Sequence, residues 1–155
     1  NNRLFAEIRQ RCEKTIGVLQ IGANIVNQKS KSQQMSSVGL KTFFNIASAW
    51  KLTNDQEVIL LGSPSRSNFY NWKRNPSAAN LNRDTLERIS YILGTYKALQ
   101  ILLPDPKAAD EWISKPNAEA IFGGESALAR MLSGNVSDLF VVRQYLDSMR
   151  GGCRR

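Results

Sequence analysis

Histidine is absent from the 155 residues, and cysteine occurs only as Cys12 and Cys153, one near each end. Without histidine, neither a Ser-His-Asp nor a Cys-His nucleophile can be assembled, and general acid–base work is left to carboxylates. A structural zinc site takes its ligands from Cys and His, so two isolated thiols with no CxxC spacing argue against one. Free thiols of this kind suit a reducing compartment. Long apolar runs are missing too: none approaches the ~20 residues that span a bilayer, and no short apolar segment with a cleavage site stands near the start. The expectation is a soluble, cytoplasmic protein with no metal and no cofactor.

Acid is missing from one window in particular. Between Glu57 and Asp84 there is no Asp or Glu, while Arg66, Lys73, Arg74 and Arg83 fall inside it. Up to Arg83 the chain carries 12 Lys and Arg against 4 Asp and Glu; from Asp84 onward it carries 9 against 9. The whole excess of +8 therefore lies in the first half. Cation concentrated on one module points to a polyanion, bound with an affinity that falls as salt rises. A merely solvated basic face is the plainer alternative. The length suits one core, or two small ones sharing an interface.

What is present is organised around GSPSRSNFYNWKRN, from Gly62 to Asn75. Gly62 closes the preceding element, Ser63 can cap, and Pro64 suits a first helical position. Phe69 and Trp72 mark a buried side, which puts Ser67, Tyr70, Asn71 and Arg74 on the other, with Arg66 and Lys73 at its flanks. Arginine and asparagine can meet guanine and adenine edges bidentately in a major groove, and lysine and hydroxyls suit phosphates. This reads as a DNA-recognition helix. It should stop at Asn75, since Pro76 disfavours helical backbone in the residue before it.

In chain order, Phe5, Ile8, Cys12, Ile16 and Leu19 predict an amphipathic helix, and the apolar residues of VLQIGANIV after Gly17 also allow a strand. The polar run Asn27 to Gly39 reads as a linker. Leu40, Phe43, Phe44, Ala47 and Trp50 give a helical stripe, and Thr53 caps a shorter helix in which Val58 and Leu61 turn inward. Two short helices, a glycine turn and a basic third helix make a helix-turn-helix; a plain three-helix bundle is the alternative.

A long helix follows, capped by Asn82 or Asp84, with a stripe of Leu86, Ile89, Leu93, Tyr96, Leu99 and Leu103. Gly94 inside it suggests the close approach of another backbone. Asp105 and Pro106 open a helix anchored by Trp112 and Ile113. The glycines at 123–124, 134 and 151–152 then bound a turn, a short helix and a final helix whose stripe is Leu139, Val142, Leu146 and Met149. Phe140, Val141 and Tyr145 fall outside that stripe, and such an apolar surplus suggests a partner, deep burial being the alternative. The acidic groups at Asp84 and Glu87, and at Asp105, Asp110 and Glu111, sit where helix caps carry acid, so an enzyme is the least supported class. Gly123 and Gly124 come without a Walker lysine or GxGxxG and read as a turn rather than a phosphate cradle.

The segments GLKTFFNIASAWKLTNDQEVILLGSPSRSNFYNWK, LNRDTLERISYILGTYKALQILLPDP and IFGGESALARMLSGNVSDLFVVRQYLDSMRGG, in that order, resemble the Xre/MbcA/ParS family of bacterial antitoxins over about Gly39 to Gly152. The resemblance implies an all-α fold: residues 1–38 outside the match, a helix-turn-helix DNA-binding module at 39–80, and a small helical toxin-binding module at 81–155. It implies that Ser63 to Arg74, including Ser65, reads double-stranded operator DNA as a homodimer. It implies that the rear module clamps a RES-domain toxin that consumes NAD, with Phe122, Gly123, Gly124, Arg130, Gly134, Asn135, Val136, Arg143, Tyr145 and Asp147 facing that toxin. Arg143 is the residue expected to reach toward the toxin's site. Two rival readings share the fold: a regulator without a toxin, whose rear half serves dimerisation, and an interaction module that has lost DNA binding.

Overall fold

The computed structural model describes residues 31–152. The helix expected at 5–19, the apolar stretch after it and both cysteines lie outside the described residues. The first described helix, α1, covers 31–49, so helix occupies 31–39 where a linker is expected. The reason is a stripe that begins with a hydroxyl. Ser36, Leu40, Phe43, Ala47 and Trp50 recur at four and three residues and are all buried. The Ser36 hydroxyl is accommodated by donating to the Ser32 carbonyl at 3.0 Å. Lys51 ends α1 in left-handed backbone, φ 56°. The Leu52 N–H donates to the Ala47 carbonyl and the Lys51 N–H to that of Ser48, a Schellman closure with lysine where glycine is usual.

Thr53 opens α2, Asn54–Leu60, with a complete capping box: its hydroxyl accepts from the Gln56 N–H, and the Gln56 side chain accepts from the Thr53 N–H. Leu60 and Leu61 are fully buried. A second Schellman closure ends α2. Gly62 has φ 89°, and the Ser63 N–H donates to the Val58 carbonyl at 2.9 Å. Ser63 thus belongs to the end of α2 and, with φ 56°, does not cap the next helix as expected. Ser65 does so, its hydroxyl accepting from the Asn68 N–H at 3.2 Å, and α3 runs Arg66–Arg74. It stops at Asn75 before Pro76, as predicted, and a short 3₁₀ turn, Pro76–Ala78, leads on. Phe43, Phe44 and Phe69 form an edge-to-face chain joining α1 to α3, with centroids 5.4 and 6.2 Å apart.

Asn82 caps α4, Arg83–Leu102, which holds both halves of the molecule together. It is buried on more than one side: Thr85, Arg88, Ile89, Ile92, Gly94, Thr95, Ala98 and Leu99 are all enclosed. Beyond it come α5, Pro106–Trp112, capped by Asp105, then α6, Ala127–Met131, capped by Ser126, and α7, Val136–Gly152. An isolated bridge between Pro116 and Ser126 closes the loop between α5 and α6, and no strand occurs among the described residues. Arg88 meets Gly134, Tyr91 meets Phe140 and Gly94 meets Arg143, so α4 and α7 pack side by side in parallel. Leu139, Val142 and Leu146 are buried as expected, whereas Met149, one turn on, is half exposed.

Two arginines cross this α4–α7 contact. Arg88, nearly buried, donates from Nε to Asp84 Oδ2 at 2.8 Å and from its guanidinium to the Gly134 carbonyl at 3.0 Å. A Cβ at Gly62 would stand 3.0 Å from the Arg88 Nε, so the α2–α3 turn closes over the same group. The other is Arg143, whose guanidinium occupies the place a Cβ on Gly94 would take, 1.2 Å from it. Gly94 therefore makes room for a side chain, not for the second backbone expected. Replacing Arg88 by Met keeps the length but removes charged donors; we expect urea unfolding to show a loss of about 2–3 kcal/mol.

Candidate functional site

Taking Phe69 as the inward direction of α3 and about 100° per residue, Ser67, Asn71 and Arg74 point away from the core, with Tyr70 at the edge. All four are exposed, and their side chains make no hydrogen bond or ion pair among the described residues. Asn68, in the first helical turn and also exposed, belongs to this face although the sequence reading passed over it. Its place follows from the helix starting two residues later than Pro64. Arg66 stands opposite Asp55 at 3.6 Å with both side chains about 80% exposed, a pairing that water screens heavily.

Lys73 is different. It lies about 40° from Phe69 around the helix, on the inward flank. Its Nζ donates to Glu57 Oε2 at 2.7 Å and to Asn54 Oδ1 at 2.8 Å, and sits 5.6 and 5.5 Å from the Phe44 and Phe69 ring centroids. Glu57 is itself buried. The lysine expected beside the DNA-facing residues thus fastens α3 to α2; the cation on the outward side is Arg74, with Arg66 exposed at the flank beside Asp55. Of the remaining expected hydroxyls, Ser65 is engaged as a cap and Ser63 stands in the exposed turn.

A second constellation surrounds the Phe122–Gly124 turn. Phe122 is buried, edge-on to Trp112 and Tyr145 at 6.0 and 5.1 Å, and those two rings stack at 6.4 Å. Gly123 and Gly124 take φ 61° and 87°, and a Cβ on either would meet nothing within 4 Å. The turn is backed by aromatics and open in front. Arg130 holds it from the side, donating to the Ile121 carbonyl and, from Nε, to Asp138 Oδ1 at 3.1 Å. Asp138 also accepts from the Ser133 hydroxyl at 2.6 Å and the Asn135 amide at 3.4 Å.

Of the residues expected to face a protein partner, Arg130, Gly134 and Asn135 therefore have internal work: they join α6, the turn and the start of α7. Val136 is half-buried at that start. Arg143 lies along α4 and pairs with Asp147 at 2.7 Å, and Asp147 also accepts from Arg150 at 3.4 Å. Trp112 and Asp138 were missed as members of the site. The signal for Asp138 was present, because an acid three residues after Asn135 is a first-turn acid of α7.

The Ser133 hydrogen bond, then those from Asn135 and Arg130, hold the Asp138 carboxyl below its ordinary value of 3.8 against the opposing effect of burial. A depressed carboxyl stabilises the fold above the pKa of the unfolded chain, and that contribution disappears as pH falls through the folded pKa. The Tm deficit of Asp138→Asn against the parent chain should therefore be full at pH 7 and shrink as pH is lowered below about 4. Thermal melts across that range measure it.

Comparison with known proteins agrees with both halves. Residues 31–94 match the antitoxin Xre-like helix-turn-helix domain, and residues 98–152 match the antitoxin Xre/MbcA/ParS C-terminal toxin-binding domain. An uncharacterized protein of Sinorhizobium fredii (strain NBRC 101917 / NGR234), y4oB, is 50% identical over 113 residues, covering 73% of this chain and 84% of that protein. Among the described residues no helix is long and apolar enough to cross a membrane. With an exposed, acid-free third helix in the front domain and a braced glycine turn in the rear one, each inside the segment its model matches, the chain belongs to the Xre/MbcA/ParS family of antitoxins.

Proposed function

We propose that this chain is the antitoxin of a type II toxin–antitoxin pair: its rear module covers the entrance of a RES-domain toxin that consumes NAD, and its helix-turn-helix, as a homodimer, represses the operon that encodes both. The observation that carries the reading is the Phe122–Gly124 turn, fixed by a cluster of three aromatic rings behind it, with open space where a Cβ on either glycine would stand. A preorganised, unoccupied projection of this kind can enter a pocket mouth with little ordering cost. Occlusion needs no chemistry from the antitoxin, since a surface seated over the entrance keeps the nicotinamide substrate out. Tyr145, stacked behind the turn, acts here by holding it in place.

DNA binding rests on α3. Arg74 and Asn71 supply the side chains able to read base edges, and Ser67, Tyr70 and Arg66 supply phosphate contacts. The fastening of Lys73 to Glu57 keeps this helix at a fixed angle to α2, which docking in a major groove requires. Both faces are held in the cytoplasm, where toxin, NAD and promoter all reside.

Two measurements test the halves separately. Arg74→Ala should weaken binding to a labelled fragment of the operon's own promoter by about 1–3 kcal/mol at fixed salt; unchanged affinity would take α3 out of the interface. Gly123→Asn is tolerated by the backbone better than other substitutions, since asparagine enters left-handed backbone at a cost of about 1 kcal/mol or less. It places a side chain in the space reserved for the partner. Co-purification with the toxin expressed from the neighbouring reading frame should then drop by about tenfold or more, equivalent to ~1.4 kcal/mol, while promoter binding is retained. Undiminished co-purification would remove the turn from the contact.

A further inference from the structure

The outward face of α3 is not symmetrical. With Phe69 taken as inward and about 100° per residue, Tyr70 lies about 100° to one side and Asn68 about 100° to the other. The cations gather on the Tyr70 side. Arg74 lies there near the outward pole, Arg66 stands against Asp55, and Lys73 is fastened to Glu57. The opposite side of α3 carries no charge. Asn68 and Asn71, three residues apart, lie there one above the other, and Trp72 on the same flank is partly buried against the core.

Asn68 is held ready but left unused. Its backbone N–H donates to the Ser65 hydroxyl at 3.2 Å, which fixes the first turn of the helix. Its carboxamide is exposed and, like that of Asn71, makes no hydrogen bond among the described residues. Phe69, the next residue, is buried and meets Phe44 edge-on at 6.2 Å, so the backbone that carries the amide is anchored. A recognition helix presents its N-terminal residues to the base edges. The third residue of α3 is therefore near the bases although its side chain is short, whereas Arg74, at the far end, depends on its longer reach.

Chemistry then separates the two sides. A carboxamide offers one acceptor and one donor side by side, which matches the N6–H and N7 of adenine; guanine presents two acceptors there and suits a guanidinium. Residues three apart are separated by about 4.5 Å along a helix axis, near the base-pair rise of about 3.4 Å. Two amides so spaced meet neighbouring pairs. On the reading of α3 as the DNA-binding helix, on which this rests, we propose that Asn68 and Asn71 read the adenines of two neighbouring A·T pairs in each half of the operator. Asn68 is then a specificity-determining residue, and the A·T step is the feature of the operator that it selects.

The full chain and its Asn68→Ala variant are each used to select duplexes from a library randomised within the operon's own promoter, and affinities for single base-pair changes are then measured across a salt series. The substitution removes an exposed side chain and leaves the Ser65 bond to the backbone in place, so far-UV circular dichroism should match the parent. In the parent, changing either A·T pair of the step to G·C should weaken binding about tenfold or more. In Asn68→Ala, discrimination at one of those pairs should fall to about twofold or less, with the neighbouring pair and the salt dependence unchanged. Asn71→Ala should erase discrimination at the neighbouring pair in the same way. Unaltered discrimination in Asn68→Ala, or dependence on Asn68 at a G·C pair, would overturn the proposal. So would a uniform loss across sequences with a shallower salt dependence, which marks a phosphate contact. Failure of the underlying reading looks different: the parent chain itself then selects no sequence, and the proposal falls with it.

Discussion

The contact between α4 and α7 carries the rest of the molecule, because it is the place where the front and rear halves share a core. Its apolar part is ordinary: Ile92, Leu99, Leu139, Val142 and Leu146 are all enclosed. What is unusual is that two cations are laid through it. Arg88 reaches from α4 to the Gly134 carbonyl, and Arg143 reaches from α7 across Gly94. The buried Arg88 guanidinium is tolerated because Asp84 and the Gly134 carbonyl match its donors, while the part-exposed Arg143 pairs with Asp147. The pair therefore specifies the register of two parallel helices more sharply than oily packing would.

From that register the placement of α3 and of the Phe122–Gly124 turn follows. The same Arg88 that fixes the start of α7 lies under Gly62, the turn that aims α3. Thr85 adds a hydroxyl donated to the Leu61 carbonyl at 3.3 Å. On the other side, Gly134 sits between α6 and the Asp138 cluster that steadies the Phe122–Gly124 turn. The segments matching the two antitoxin domains meet inside α4, so one continuous helix, not a flexible tether, joins the helix-turn-helix half to the half that matches the toxin-binding domain.

Much of this was legible in the residues. The glycines and prolines bounded the elements, Thr53 announced its cap, and Phe69 and Trp72 gave α3 its inner side, because each acts through local geometry that a sequence displays directly. The failures have physical causes as well. Ser36 hid the first turns of α1, since a buried hydroxyl satisfied by its own helix looks like a linker residue when only polarity is read. Ser63 was assigned to the wrong helix because a Schellman closure uses one residue beyond the glycine. Lys73 is expected at the flank of the DNA-facing side because nothing local announces that Glu57, sixteen residues earlier, is buried and needs a counter-charge. The Asp138 cluster is different, because Arg130, Ser133 and Asn135 all lie within eight residues of it and its first-turn acid is a local signal.

The space over Gly94 has a consequence for how such sequences can diverge. A methyl group there would coincide with the guanidinium of Arg143, so a side chain at 94 is accommodated only if the far end of residue 143 swings aside. A side chain at 94 is compatible with a shorter or redirected residue 143, and without that arginine the steric need for glycine lapses. The two positions are thus energetically coupled, and the effects of substitutions at them do not simply add.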